Sequence, residues 1–363
     1  MNIAIDIRST LKKKTGIGTY TVGLVNALAK IDRENKYFLY SYIRPFDFKR
    51  RLWQLPGSNF HHKVDRLSFS PERAMKDADV LHTSSYDMPA SRFYSLVTTV
   101  HDLVPLVFPQ GYSEDYLFKL KDDIKRVLCE SKVIIVDSVN TGNDIEKMFP
   151  DNRKRVEVVY PGRDEGFKVL DKRDAVSSIK ERYGIREGFL LYSGGMDPRK
   201  NVLRLMDAFS ILKRSYKLSH KLVVVGAKGK WGAELTEKIS DLKLDNEVIF
   251  PGYVPVGDLN SFYSAADCFV YPSLYEGFGF PILEAFSSGT PVVTSSTSSC
   301  GEISSDAAFT VDPTDTEGIS EAIYKVITDQ ELASTLIARG KRRAADFSWD
   351  VSAKRILDLF RGN

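Results

Sequence analysis

Short apolar runs separated by amphipathic stretches recur along the chain. Residues 2–7 read as a short alternating strand, followed by a glycine-bearing loop at 15–20 and a helix over 20–30 with Val22, Val25, Leu28 and Ala29 on one face. Further strands are predicted at 37–43, 80–82, 95–101 and 132–137, with helices over 114–129 and 140–149. Strands alternating with helices predict a parallel sheet covered on both faces. The run 156–162 reads as a strand ending on Pro161-Gly162, and the polar segment 163–174 behind it as a domain linker. The alternation then repeats. Residues 189–193 run into Gly194-Gly195, a helix follows at 201–215, and 222–225 is a near-continuous apolar strand ending at Gly226, as buried parallel strands do. Strands at 247–250, 268–271 and 291–294 complete a second sheet, and the last helices run over 316–360 with a break near Phe347-Ser348-Trp349. No short-period repeat is present.

Composition narrows the function more than the fold. A chain of 363 residues exceeds one ordinary core, so two domains are expected. A formal net charge of +3 argues against nucleic acid as a partner, which normally shows as a strong basic excess. Cys129, Cys268 and Cys300 have neither metal-ligand nor disulfide spacing, fit a reducing compartment, and are expected as small buried residues. The N-terminus has no basic region or cleavage site of a signal peptide, and no apolar run approaches the ~20 residues that span a bilayer. A cytoplasmic location is therefore expected. The histidines His61, His62, His82, His101 and His220 lack zinc spacing, and Asp77-Ala78-Asp79 reads as a solvated turn before a strand. No metal or cofactor is expected.

Candidate chemistry concentrates at two glycine loops. Gly16-Ile17-Gly18 follows a strand and opens a helix, where backbone N–H groups can face an anion. A dinucleotide fingerprint would need a third glycine where Thr21 stands, and an acid near Ile43-Arg44, so hydride transfer is not expected. The stronger signal is the run from Tyr271 to Glu284. It holds two glutamates, Glu276 and Glu284, around Gly277-Phe278-Gly279-Phe280-Pro281-Ile282-Leu283. Gly277 and Gly279 suit an irregular loop with exposed N–H groups. Pro281 suits the first turn of a helix, and a helix start beside such a loop is a diphosphate site. Glu284 can accept hydrogen bonds from a ribose diol and Glu276 from sugar hydroxyls.

This run resembles the signature of family-four retaining glycosyltransferases, which have the GT-B fold. Matching segments follow in the family's order: Gly16-Ile17-Gly18, His101-Asp102, Val159-Tyr160-Pro161-Gly162, Asp197-Pro198-Arg199-Lys200-Asn201, Gly252-Tyr253-Val254 and residues 259–267. The resemblance covers essentially the full length, nearest to the bacterial mannosyltransferases of O-antigen and exopolysaccharide synthesis. It implies two Rossmann-like domains with parallel sheets facing a deep cleft. The first, 1–165 with a final helix at 347–363 crossing back, would bind the acceptor, and the second, 166–346, the nucleotide sugar. Lys200 matches the lysine that meets the donor diphosphate, where a cation is needed as the leaving group gains charge. Arg199 stands beside it, although neighbouring residues at a helix start point in different directions. The family often carries Arg where this chain has Gly195. Val254 would offer backbone groups to the base, and Tyr253 reads equally as a base contact or core packing. His101, at the end of a parallel strand, would contact or orient the donor sugar, with Asp102 orienting it or the local loop.

The implied reaction is transfer with retention, independent of metal. A double displacement needs a carboxylate beneath the anomeric carbon, and the sequence nominates none. A front-face route, in which the departing phosphate takes the acceptor's proton, needs none and is preferred. The implied donor is GDP-mannose, with a UDP-hexose as the alternative, and the acceptor a glycan or a lipid-diphosphate-linked sugar. Lys12-Lys13-Lys14 and the stretch from Arg44 to Trp53, with Lys49, Arg50 and Arg51, suit a peripheral contact with anionic membrane as well as a solvated basic face. Two rivals remain at this stage: a sugar-nucleotide 2-epimerase of the same fold, and a catalytically silent nucleotide-sugar-binding partner, which Gly195 favours.

Overall fold

The computed structural model describes residues 1–11, 16–42, 54–65, 71–88, 90–152, 154–186, 188–227, 229–252 and 254–362. The chain divides into two units, Met1–Gly162 with Phe347–Asn363, and Arg163–Asp346.

The first unit holds a seven-stranded parallel sheet among the described residues. Its strands are β1 (Asn2–Asp6), β2 (Lys36–Tyr42), β3 (Phe60–Asp65), β4 (Val80–Thr83), β5 (Ser95–Val100), β6 (Val133–Val136) and β7 (Arg155–Val158), in spatial order 3-2-1-4-5-6-7. β1 departs from simple alternation: Ile3, Ala4, Ile5 and Asp6 are all buried, as both faces of the sheet are covered. The helix Gly16–Ile31 packs Tyr20, Leu24 and Leu28 on one face of the sheet, alongside Ile356, Leu359 and Phe360 of the final helix, Trp349–Arg361. Trp349 fits between two glycines. A Cβ on Gly23 would overlap its ring, and one on Gly162 its backbone nitrogen. The first of the two units ends its main segment at Gly162.

The second unit holds a six-stranded parallel sheet, β8 (Phe189–Ser193), β9 (Lys221–Val225), β10 (Val248–Ile249), β11 (Cys268–Tyr271), β12 (Val292–Ser295) and β13 (Phe309–Val311), in order 10-9-8-11-12-13. The polar segment expected as linker is partly helical. Asp171 caps the helix Lys172–Tyr183 by accepting from the N–H groups of Arg173 and Asp174, and Gly184 ends it at φ +71°. In each sheet the strand order reverses direction between the first and fourth strands, and ligands of such sheets bind outside the carboxyl ends at that point.

Cys268 and Cys300 are buried as expected, but Cys129 is exposed. It lies near the end of the amphipathic helix Glu114–Glu130, whose inward positions are taken by Ile124, Val127 and Leu128. Among the described residues no helix is long and apolar enough to cross a membrane.

Candidate functional site

The second unit builds its site where the chain leaves β8, β9 and β11. β8 runs into Gly194 and β9 into Gly226, at φ +154° and +149°. A Cβ on Gly226 would overlap the Gly194 carbonyl, so the two turns lie backbone against backbone, joined by Gly194 N–H donating to Val225 O at 2.9 Å. The turn Pro198–Lys200 follows. The Asp197 carboxylate caps it by accepting from Arg199 N–H at 3.1 Å, and Asn201 closes it in the left-handed region. Asn201 Nδ2 donates to Pro272 O at 3.0 Å and Pro313 O at 2.6 Å, tying the turn to the loops after β11 and β13.

Lys200 and Arg199 then meet at Glu276, contrary to the expectation that neighbours here point apart. The carboxylate lies between them, and each long side chain reaches a different oxygen: Lys200 Nζ to Oε1 at 3.3 Å, Arg199 Nη1 to Oε2 at 2.6 Å. Tyr271 and Ser273 donate to Oε1 at 2.7 and 3.0 Å, and Lys200 donates to the Tyr271 hydroxyl at 2.6 Å. Glu276 is 8% exposed. Burial opposes its charge, but Lys200 and Arg199 outweigh burial and hold its pKa at about 2. Arg199 also lies 3.7 Å from Asp197 at the rim. An ammonium has three donors, and Lys200 keeps at least one without a protein acceptor among the described residues.

The loop after Glu276 is not the exposed one the glycines suggested. Gly277, Phe278 and Gly279 are buried, with the Phe278 ring edge-on to Phe280 at 5.0 Å. Ile282 and Leu283 turn their side chains into the core, which leaves only their backbone for a ligand. The helix Phe280–Ser288 begins at Gly279, at φ +116°, with Pro281 in its first turn and no capping side chain. Glu284 is half-buried in its second turn and accepts from the Tyr263 hydroxyl at 2.8 Å. Tyr263 belongs to the helix Val256–Ala265, which the Gly252–Val254 segment enters. Gly252 is exposed at φ +79° and Val254 half-buried, while Tyr253 lies outside the described residues. So do Lys12, Lys13, Lys14, Lys49, Arg50 and Arg51.

In the first unit the helix opening at Gly16 brings Tyr20 edge-on to His101, ring centroids 4.7 Å apart, at the carboxyl ends of the strands. Gly16 is exposed and Gly18 buried. The partner of His101 is Asp137, whose Oδ2 accepts from Nδ1 at 2.6 Å. Asp102 instead accepts from Val104 N–H at 2.9 Å and caps the short turn behind it, so it orients the loop and not the ring. Between β1 and β4, Arg8 makes paired hydrogen bonds to Asp6 and to Asp87, a cluster the sequence reading missed. Asp77 and Asp79 sit at the opposite, amino edge, where Asp79 accepts from Asn2 N–H at 2.7 Å. A cavity of about 250 Å³ between Met196, Val202, Arg204, Trp231 and Glu234 borders the Pro198 turn but includes none of Lys200, Glu276 or Glu284.

Residues 14–167 match Glycosyltransferase Family 4, and residues 177–343 match Glycosyl transferases group 1. The chain is therefore a glycosyltransferase of the GT-B fold, with a Family 4 domain followed by a group 1 domain. Its relatives make mannose transfer the recurring theme. It is 29% identical to the O-antigen chain mannosyltransferase B of Escherichia coli over 282 residues, 78% of this chain and 74% of that protein. It is 28% identical to the Escherichia coli serotype-specific mannosyltransferase WbdA over 296 residues, 77% of this chain but only 35% of that longer protein. Among solved structures, the sucrose-phosphate synthase of Thermosynechococcus elongatus is similar in fold, with a TM-score of 0.78 at 20% identity over 99% of this chain and 98% of that one.

Proposed function

We propose that the protein transfers mannose from GDP-mannose, with retention and without a metal, to a glycan or lipid-diphosphate-linked acceptor in surface-polysaccharide synthesis. The observation that carries this is Lys200, held by Tyr271 and Glu276 at the strand-order reversal of the second sheet with an ammonium donor to spare. A cation fixed there before the donor arrives stabilises the charge that grows on the departing diphosphate. Glu284, steadied by Tyr263, takes the ribose hydroxyls, and the uncapped start of the Phe280–Ser288 helix faces the diphosphate. Glu276 acts mainly as the counter-ion that positions Lys200 and Arg199, since its oxygens are already engaged. For His101, at the carboxyl end of β5, the reading is a sugar-contact or orienting role. The mannose assignment draws on the names of the relatives and not on a residue of the site. The acceptor's proton leaves with the phosphate, so no carboxylate nucleophile is required.

Calorimetric titration with GDP-mannose, GDP, UDP-glucose, UDP-N-acetylglucosamine and UDP tests the reading. Selective GDP-mannose binding is expected, weakened roughly 10- to 100-fold in Lys200→Ala and Glu284→Ala, the worth of a hydrogen bond to a charged group. Selective binding of a UDP-sugar would overturn the donor. Binding without turnover would favour the silent partner, a reading supported by Gly195, where the family often has Arg.

A further inference from the structure

Two histidines of the first unit, the buried His82 and the half-buried His101, meet different surroundings. His82, on β4, has Nε2 2.8 Å from Thr99 Oγ1, which also meets the Tyr20 hydroxyl at 3.1 Å. Burial pushes its pKa down to about 3, so it is neutral. His101, just past β5, has only its inner nitrogen engaged, by the Asp137 carboxylate at the end of β6. Its Nε2 is buried with no partner among the described residues, and so is Asp137 Oδ1. A buried polar atom left unpaired is costly and asks for an explanation. The side chains of His101 and Asp137 are 12% and 3% exposed, so the ring meets the surface and the carboxylate stands behind it.

We propose that Asp137 is a positioning residue for transfer: it fixes the His101 ring through Nδ1 and keeps it an imidazolium whose Nε2–H is offered to an oxygen of the donor. This rests on the reading of His101 as a donor contact, and adds what makes that contact possible. The charge on the ring is decided by few neighbours. Burial works against the imidazolium, and Asp137 outweighs it and raises the pKa of His101, with a smaller contribution from Asp102. From β4, His82 is neutral, and from the Gly16–Ile31 helix, Tyr20 is kept protonated by burial. Removing the charge of Asp137 leaves burial opposed only by the smaller contribution of Asp102, so the proton leaves His101 at lower pH. An Asn at the same place still accepts from Nδ1–H, which separates charge from orientation.

The test follows the imidazole nitrogens of the full-length protein by NMR, wild type against Asp137→Asn, with turnover of GDP-mannose or UDP-glucose measured across pH. Near pH ~6, His101 is expected with both nitrogens protonated and His82 neutral, a comparison that needs no variant. A neutral His101 there overturns the proposal. Asp137→Asn is expected to move the His101 midpoint to lower pH, carry the alkaline limb of kcat with it, and lower kcat at neutral pH roughly 10- to 100-fold with KM little changed, as loss of a partner that raises the ring's basicity does. An unmoved midpoint, or a moved midpoint with the kcat profile of wild type, also overturns it. His101→Gln separates the layers: full turnover there would sink the donor-contact reading itself, whatever Asp137 does.

Discussion

Lys200 Nζ stands 3.3 Å from Glu276 Oε1 while Arg199 Nη1 holds the other oxygen at 2.6 Å, so one buried carboxylate sets the positions of two cations. Removing that charge should therefore cost stability as well as binding. Glu276→Gln is expected to lose about 3 kcal/mol at neutral pH, the scale for breaking a buried pair, as read by urea unfolding. The pH dependence has a definite sign. Glu276 titrates near 2 in the folded protein against an ordinary 4.5, so its contribution is complete above about 4.5 and is lost as pH falls toward 2. By linkage the difference amounts to about 3 kcal/mol. Wild type should lose stability through this window and the Gln variant should lack that component. Identical acid-unfolding profiles would refute the arrangement.

The crossing of Gly194 and Gly226 gives a second expectation. At Gly226 a side chain meets both a left-handed backbone and the Gly194 carbonyl, whereas at Gly195 it meets nothing within 4 Å. Gly226→Ala should cost ~2 kcal/mol or more through strain and displacement of the neighbouring turn. Gly195→Ala should stay within about 0.5 kcal/mol of wild type. Thermal melting of the two variants checks the contrast, and equal melting temperatures would count against it.

Much of this site was legible because parallel strands announce their carboxyl ends. An apolar run meeting glycine marked the ends of β8 and β9, and the same logic singled out His101 after β5 and the loop after β11. What stayed hidden depends on which strands become neighbours. Asp137 closes its own apolar run, but its meeting with His101 requires β5 and β6 to be adjacent. Likewise, the convergence of Arg199 and Lys200 follows from where β11 delivers Glu276, not from their spacing. β3, read Phe-His-His-Lys-Val-Asp, escaped detection because it is an edge strand with mostly half-buried positions. The burial of Phe278 was masked by the glycines on either side of it.

Tyr263, on the helix Val256–Ala265, donates its hydroxyl at 2.8 Å to Glu284, the carboxylate proposed to take the ribose. Tyr263→Phe keeps the buried ring against Phe167 and Phe269 and removes that hydrogen bond. Stability should fall by only about 1 kcal/mol. Nucleotide affinity should fall with it, because the Glu284 carboxylate loses the donor that meets it at 2.8 Å. Calorimetry on Tyr263→Phe and Glu284→Ala should show the Phe variant intermediate between wild type and Ala. Wild-type affinity in Tyr263→Phe would remove the positioning role.

Gly195 offers the converse experiment, a gain. The glycine is exposed, lies outside the left-handed region and has open space where a side chain would begin. It also sits one residue past Gly194, whose own Cβ would stand 3.3 Å from Lys200 Nζ. An arginine there needs no change in the backbone and brings a forked cation toward the place proposed for the diphosphate. Gly195→Arg should therefore tighten binding of the preferred nucleoside diphosphate by roughly tenfold, with a steeper loss of affinity as salt is added. The double variant with Lys200→Ala should recover part of what Lys200→Ala loses. If Gly195→Arg leaves affinity and its salt dependence unchanged while Lys200→Ala lowers the affinity, the diphosphate does not lie over this turn. If it raises turnover along with affinity, the glycine accounts for a weak clamp in a working enzyme, and the silent-partner reading loses its one supporting feature.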